Sequence, residues 1–295
     1  MIKRTNIFDD IYKKFNYNVT NNFPYIIDME LTNHCNLNCK MCNRNLMERE
    51  CGFMDYNVFA KVVLECFKYN SAIRFIRWGE PFLHSNILQY IKEVKDYNIP
   101  LHITTNGLLL NKDITKSIID MELDSIIFSM QGLSSEEYEN IRVGASWNTL
   151  NDNIQEFVEI RGGRKKPFIH ITTTIDKDDD YKDRFIDYWK NYVLVDKVSV
   201  GITNYARIKQ LKPKNRKYKV CYETTNKLGV DWDGSVTGCC GDYDRLMYVG
   251  NINDESIYNI WNNSKLLKSY RNLVGNKQHR CLTLCKDCYR AYEDI

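Results

Sequence analysis

The sequence predicts an α/β chain: a partial (β/α)6 barrel followed by a small C-terminal domain built on a hairpin and a helix. Three observations carry this. From about residue 25 to 203, short apolar runs alternate with segments of helical apolar spacing. Six such pairs in series require parallel strands joined by right-handed crossovers. The alternation then stops near Asn204, and a cysteine-bearing segment with Gly-containing turns follows.

The predicted strands are Tyr25–Leu31, Ala72–Trp78, Pro100–Thr105, Asp124–Met130, Phe168–Ile175 and Lys197–Thr203. Between the first two, Val58, Phe59, Val62, Val63 and Phe67 mark one face of a helix, with Cys66 on the same face as a buried structural thiol. Ile87, Leu88, Ile91 and Val94 mark another helix, and Leu150, Ile154, Phe157 and Val158 a third. Ser134 and Glu137 have capping-box spacing, which starts a helix at Ser135. The chemistry of such a barrel sits at the C-terminal ends of its strands.

The barrel is assigned to residues 1–203, with its core over 25–203, and the small domain to 221–295. Residues 204–220 between them carry Arg207, Lys209, Lys212, Lys214, Arg216, Lys217 and Lys219 around Pro213. They read as a solvated basic linker, or as a basic loop that meets an anionic substrate such as a sugar nucleotide. In the small domain, Gly229–Val236 reads as a hairpin turning at Asp233-Gly234. Val249-Gly250 marks a further turn, and Ile257, Ile260 and Trp261 an amphipathic helix.

Composition sets the class. The chain has 295 residues, 43% hydrophobic and 13% aromatic, enough for one large core and an appendage. A formal charge of +3, with no basic block interleaved with stacking aromatics, argues against nucleic acid as a partner. No apolar run approaches the roughly 20 residues that cross a bilayer. Met1 to Thr20 lacks the apolar stretch of a signal peptide, so a cytoplasmic protein is expected. The 11 cysteines are the outlier. In a cytosolic protein, clustered cysteines point to metal more than to disulfides. Cys35, Cys39 and Cys42 form one group; Cys221, Cys239, Cys240, Cys281, Cys285 and Cys288 form another; Cys51 and Cys66 stand apart.

Cys35 through Cys42 is a CxxxCxxC run directly after the first strand. Three thiolates can hold three irons of a [4Fe–4S] cluster and leave the fourth iron open to a further ligand. Zinc is the competing reading. It needs a fourth ligand, and His34, adjacent to Cys35, is badly placed to close a tetrahedron.

CxxxCxxC after the first strand of a TIM-like βα barrel resembles the radical S-adenosylmethionine (SAM) superfamily, and the resemblance covers residues 25–203. Trp78-Gly79-Glu80-Pro81 after the second strand is similar to the family's GGE-type motif, with Trp78 in place of the first glycine. The resemblance implies that Gly79, Glu80 and Pro81 hold the amino group of SAM's methionine. Thr105-Asn106-Gly107 resembles the TNG turn after the third strand. Ser129-Met130-Gln131-Gly132 resembles S-x-D-G after the fourth, with Gln131 for aspartate. Arg142 stands where many members carry an arginine near SAM's carboxylate. Met41 takes the position before the last cysteine, usually aromatic, which lies against adenine. Taken singly, each of these also reads as a turn, a strand-end hydroxyl or a helix-end charge; their order along the strands makes the resemblance. It implies a reduced cluster, fed by an external flavodoxin- or ferredoxin-like electron donor, that cleaves SAM to a 5′-deoxyadenosyl radical which takes hydrogen from a substrate.

In the second group, Cys221 and Cys239 flank the hairpin and Cys285-Lys286-Asp287-Cys288 is CxxC. These four can close around one [4Fe–4S] cluster, and in isolation zinc fits as well. The segment resembles the SPASM and twitch domains that follow radical SAM barrels, the single-cluster twitch arrangement most of all. The resemblance implies a second cluster on Cys221, Cys239, Cys285 and Cys288. Strand alternation lets only one of Cys239 and Cys240 face it, and Cys239 is preferred.

The layout is similar to small-molecule dehydrogenases of aminocyclitol biosynthesis. It implies a carbohydrate-like or other small polar substrate, with the second cluster as electron acceptor or only as an anchor for the substrate or the domain. About two dozen residues precede the first strand, too few for a domain that grips a leader peptide. A peptide- or protein-modifying enzyme, thioether- or formylglycine-forming, is the alternative, and a non-enzymatic zinc scaffold a third. No residue identifies itself as a substrate base; Tyr205, His170 and Arg77 are candidates to line the pocket, and each has an equal structural reading.

Overall fold

A computed structural model describes residues 3–16, 21–175, 179–202, 217–218, 221–286, 288 and 292–293. Its strands are β1 (Ile26–Met29), β2 (Asn38–Cys39), β3 (Ala72–Phe75), β4 (Leu101–Thr105), β5 (Ser125–Ser129), β6 (Arg142–Val143), β7 (Phe168–Ile175), β8 (Lys197–Ile202), β9 (Lys217–Tyr218), β10 (Lys227–Val230), β11 (Ser235–Thr237), β12 (Tyr248–Asn251) and β13 (Tyr292–Glu293). Its helices are α1 (Ile7–Lys13), α2 (Tyr56–Tyr69), α3 (Ile87–Asp96), α4 (Lys112–Asp120), α5 (Ser135–Ile141), α6 (Trp147–Arg161), α7 (Asp179–Tyr192), α8 (Glu223–Asn226), α9 (Ile257–Asn263) and α10 (Lys265–Gly275). All six strands read from the alternation form, and the fold is α/β on parallel strands. No closed barrel is formed among the described residues. Tyr205 and most of the 204–220 segment lie outside them.

The chain divides into two compact units. The first comprises residues 1–10, 34–42 and 80–203, and the second 11–33, 43–79 and 204–295.

In the first unit β4, β5, β7 and β8 lie side by side and parallel. Leu101, Ile103, Ile126, Phe128, Ile169, Ile171 and Val198 alternate onto one buried apolar face. The other face is polar but for Ile127 on β5. His102, Ser125, His170, Thr172 and Ser199 lie on it, together with Thr104, Ser129 and Thr174. Its hydroxyls and imidazoles pair across strands: His102 Nδ1 with Ser125 Oγ at 3.1 Å, His170 Nε2 with Ser199 Oγ at 2.7 Å, and Thr172 Oγ1 with Ser199 Oγ at 3.2 Å. Pairing is what makes a polar face tolerable inside a protein. Local signals set the helices. The Ser134 hydroxyl accepts from Glu137 N at 3.3 Å, so α5 starts where the capping box placed it.

In the second unit β1 runs parallel between β10 and β3, and β11 and β12 continue from β10 antiparallel. α2 is capped at Asp55, whose carboxylate accepts from Val58 N at 2.9 Å, and its apolar stripe buries Val58, Phe59, Val62, Val63 and Cys66. The hairpin turns at Gly234, φ +87°, where a side chain would be strained. One face of these strands carries buried charge. Arg74 Nε and Nη2 bind both oxygens of Asp28 at 2.5 and 2.6 Å. Burial alone would raise the Asp28 carboxyl, but Arg74 beside it, with help from Lys227, holds it below the usual carboxylate range.

Candidate functional site

The loop that leaves β1 carries Cys35, Cys39 and Cys42, and hydrogen bonds from residues far along the chain set its path. β2 pairs antiparallel with β6, so Cys39 lies opposite Arg142 and Asn38 opposite Val143. Lys40 N extends that ladder to Ile141 O at 2.9 Å. Cys42 N bonds Cys39 O at 3.0 Å and closes a turn between the last two cysteines. At the other end of the loop, Asn106 Nδ2 donates to Asn36 Oδ1 at 2.8 Å and lies 4.0 Å from Cys35 Sγ. Cys39 is buried and Cys35 and Cys42 half-buried. The donors presented are three thiols, the soft ligands that iron–sulfur clusters take; they fit such a cluster.

Glu80 follows Gly79 at the end of the segment leaving β3. Its backbone N donates to His34 O at 2.9 Å, which ties the motif to the residue before Cys35. Its carboxylate is buried and occupied: Oε1 accepts from Thr105 Oγ1 at 2.7 Å and Phe82 N at 3.3 Å, and Oε2 from Asn106 N at 2.8 Å. Pro81 opens the short 3-10 turn that Glu80 caps. Burial pushes the Glu80 carboxyl up, and these three donors, with Arg142, pull against that push. A carboxylate offers about four acceptor sites, so Oε2 retains capacity for one more donor. Thr105 Oγ1 also accepts from Gly107 N at 2.9 Å, and Gly107 has φ +77°. Glu80, Thr105, Asn106 and the cysteine loop are thus one bonded assembly.

Arg142 is 7% exposed, and its Nε donates to Gln131 Oε1. Gln131 Nε2 reaches Thr174 Oγ1 at 3.5 Å. Glutamine at position 131 therefore orients Arg142 through a neutral acceptor. Ser129 ends β5 half-buried, in register with Thr172. Met41 is half-buried on the cysteine loop. His170 lies deeper on the polar face. Burial, with Lys197 nearby, brings its imidazole down to about 4, so it is neutral near pH 7.

In the second unit Cys221, Cys239 and Cys285 pack against Met247, Val274, Leu282 and Leu284, and Cys285 Sγ lies 3.9 Å from Met247 Sδ. Burial pushes the Cys221 thiol up to about 12, and Glu223, Cys288 and Cys240 add to the push. A hydrogen bond with Cys240, then burial, raises Cys239 well above the ordinary thiol value. Cys221, Cys239 and Cys285 thus share one apolar floor; Cys281 is exposed. A half-buried all-thiol donor set suits an iron–sulfur cluster, whose binding would release the protons these thiols retain. The strand argument for choosing between Cys239 and Cys240 does not apply. β11 ends at Thr237, the two cysteines sit beyond it, and their side chains bond each other.

Sequence reasoning missed a charged network at the C-terminal ends of β10, β1 and β3. Arg49 binds both oxygens of Glu30 at 2.7 and 2.6 Å. Asp231 takes Arg77 Nη2 at 2.8 Å and Arg245 Nε at 3.0 Å. Of its members the sequence singles out only Arg77, as a candidate to line the pocket; here it is paired with Asp231.

Residues 29–163 match the radical SAM superfamily, and residues 221–289 match an iron–sulfur cluster-binding domain, SPASM. The chain covers 44–45% of the length of the first curated relatives it matches. It is 23% identical over 270 residues to the S-adenosyl-L-methionine-dependent 2-deoxy-scyllo-inosamine dehydrogenase of Niallia circulans, covering 89% of this chain and 92% of that one. Among solved structures it resembles BtrN in complex with AdoMet and 2-DOIA, with a TM-score of 0.66 at 19% identity over 92% of this chain and 94% of that one. It also resembles Streptococcus suis SuiB bound to precursor peptide SuiA, with a TM-score of 0.64 at 15% identity over 89% and 69%. Both likenesses concern the fold.

Proposed function

We propose that this chain, a radical SAM enzyme with a further iron–sulfur cluster-binding domain, is a dehydrogenase of a small, hydroxyl-bearing, carbohydrate-like substrate. The observation that carries the reading is the alignment with the inosamine dehydrogenase, which spans nearly all of both chains. Cys35, Cys39 and Cys42 hold the SAM cluster, and Cys221, Cys239, Cys285 and Cys288 the auxiliary one. When bound, these groups supply a hydrogen-abstracting 5′-deoxyadenosyl radical and an acceptor for the second electron.

The protein's own residues bind and orient. Glu80 Oε2, with its remaining acceptor site, receives SAM's ammonium, while Thr105 and Asn106 fix the carboxylate from behind. Arg142, held by a neutral partner, keeps its charge for SAM's carboxylate. Ser129, with Gly79 and Pro81 of the motif, completes the SAM contacts, and Met41 offers adenine a soft apolar surface. The hydroxyl-rich face of β5, β7 and β8 suits a polar substrate better than an apolar one. A flavodoxin- or ferredoxin-like protein supplies the first electron.

The test uses aminocyclitols and related polyols deuterated at the carbinol carbon, with SAM and a reductant. Deuterium in 5′-deoxyadenosine together with one equivalent of ketone supports the reading. Deuterium transfer from a peptide but from none of the polyols overturns it and favours a peptide modifier.

A further inference from the structure

Arg77 and Trp78 are consecutive residues leaving β3, and both donate to the same atom. Arg77 Nη2 lies 3.1 Å and Trp78 Nε1 2.8 Å from the carbonyl oxygen of Asp242. Successive side chains of an extended segment point to opposite sides. Here they converge because Arg77 has φ +123°, a backbone conformation that residues with a side chain rarely adopt. The guanidinium is 1% exposed and its place is prepared. Asp231 pairs with it at 2.8 Å, and position 229 is glycine, where a Cβ would stand 1.8 Å from Nη1. Trp78 further stacks edge-on to Tyr243, with ring centroids 5.8 Å apart.

The carbonyl they grip belongs to the turn that carries Cys239 and Cys240. Asp242 N bonds Cys239 O at 3.2 Å, and Gly241 N reaches Cys239 Sγ at 3.3 Å. The Asp242 carboxylate accepts from Leu246 N at 2.9 Å and Met247 N at 2.7 Å. Met247 is the floor under Cys239 and Cys285. A displacement of Asp242 therefore moves a thiol and its packing surface together.

We infer that Arg77 and Trp78 are positioning residues for the auxiliary cluster, holding its Cys239 turn through the carbonyl of Asp242. The inference rests on the reading that Cys239 helps to bind that cluster. It gives Trp78 a task a glycine at that position cannot perform. Core filling alone would be met equally by phenylalanine, which lacks the indole N–H.

The experiment is made in full-length protein with Cys35, Cys39 and Cys42 changed to Ala, so that only the auxiliary cluster is reconstituted. Trp78→Phe should speed iron release to a chelator about fivefold, the equivalent of one neutral hydrogen bond, and shift the cluster's EPR lines. In a Cys285→Ala background, which retains the SAM cluster, Trp78→Phe should leave release unchanged. Arg77→Lys, which keeps the charge but loses the second donor geometry, should act in the same direction and serves if Trp78→Phe does not fold. Parental release rates and superimposable spectra in both variants would overturn the inference. Absence of iron from the triple variant before any change at Trp78 would instead overturn the auxiliary-cluster reading on which it rests.

Discussion

Thr105, the last residue of β4, and Glu80, on the segment that follows β3, meet through a 2.7 Å hydrogen bond in which the threonine hydroxyl donates to a carboxylate that is 2% exposed. The bond turns a turn motif and an acidic motif into one support. Thr105→Val should cost about 1–3 kcal/mol of stability, because a buried carboxylate oxygen loses a donor. Chemical denaturation measures it. Glu80→Ala should weaken SAM binding roughly tenfold or more without loss of iron, the worth of a charge-assisted hydrogen bond. Unchanged SAM affinity in equilibrium dialysis would count against the role of Glu80.

The first cluster is testable by subtraction. Changing Cys35, Cys39 and Cys42 to Ala should abolish formation of 5′-deoxyadenosine while iron remains at the other site. Deoxyadenosine from the triple variant under reducing conditions would show that SAM is cleaved elsewhere.

Two [4Fe–4S] clusters predict about eight irons per reconstituted chain. Cys285→Ala should remove about half of them. Cys66→Ala should remove none, since Cys66 is fully buried in the apolar stripe of α2 and burial raises its thiol far above the usual range. Four irons with one zinc would mean that the second site is a zinc site.

His170 gives a pH prediction with a definite sign. Its ordinary pKa of 6.5 falls to about 4 in the fold, because burial and Lys197 disfavour the charged ring. The unfolded chain then takes up the proton first, so the stabilisation is complete above pH 6.5 and is lost as pH falls toward 4. The loss amounts to on the order of 3 kcal/mol. The stability of the protein minus that of His170→Asn, followed by denaturation between pH 7 and 4, should fall by that order. A flat difference would mean that His170 titrates normally.

The sequence by itself determined which segments become the six alternating strands and where α5 begins. Periodicity and capping are local, so β1, β3, β4, β5, β7 and β8 and the start of α5 were legible from apolar spacing and from Ser134 with Glu137. The cysteine run was legible because its three cysteines are neighbours in the chain. What only the tertiary structure decided is who supports them. The β2–β6 ladder joins Cys39 to Arg142, Gln131 orients Arg142, and Arg77 with Trp78 reaches Asp242, more than 160 residues away. Neither periodicity nor composition marks such pairs. A hydrogen bond depends on distance and angle at one point in space, and for residues far apart in the chain those are set only when the strands between them have paired.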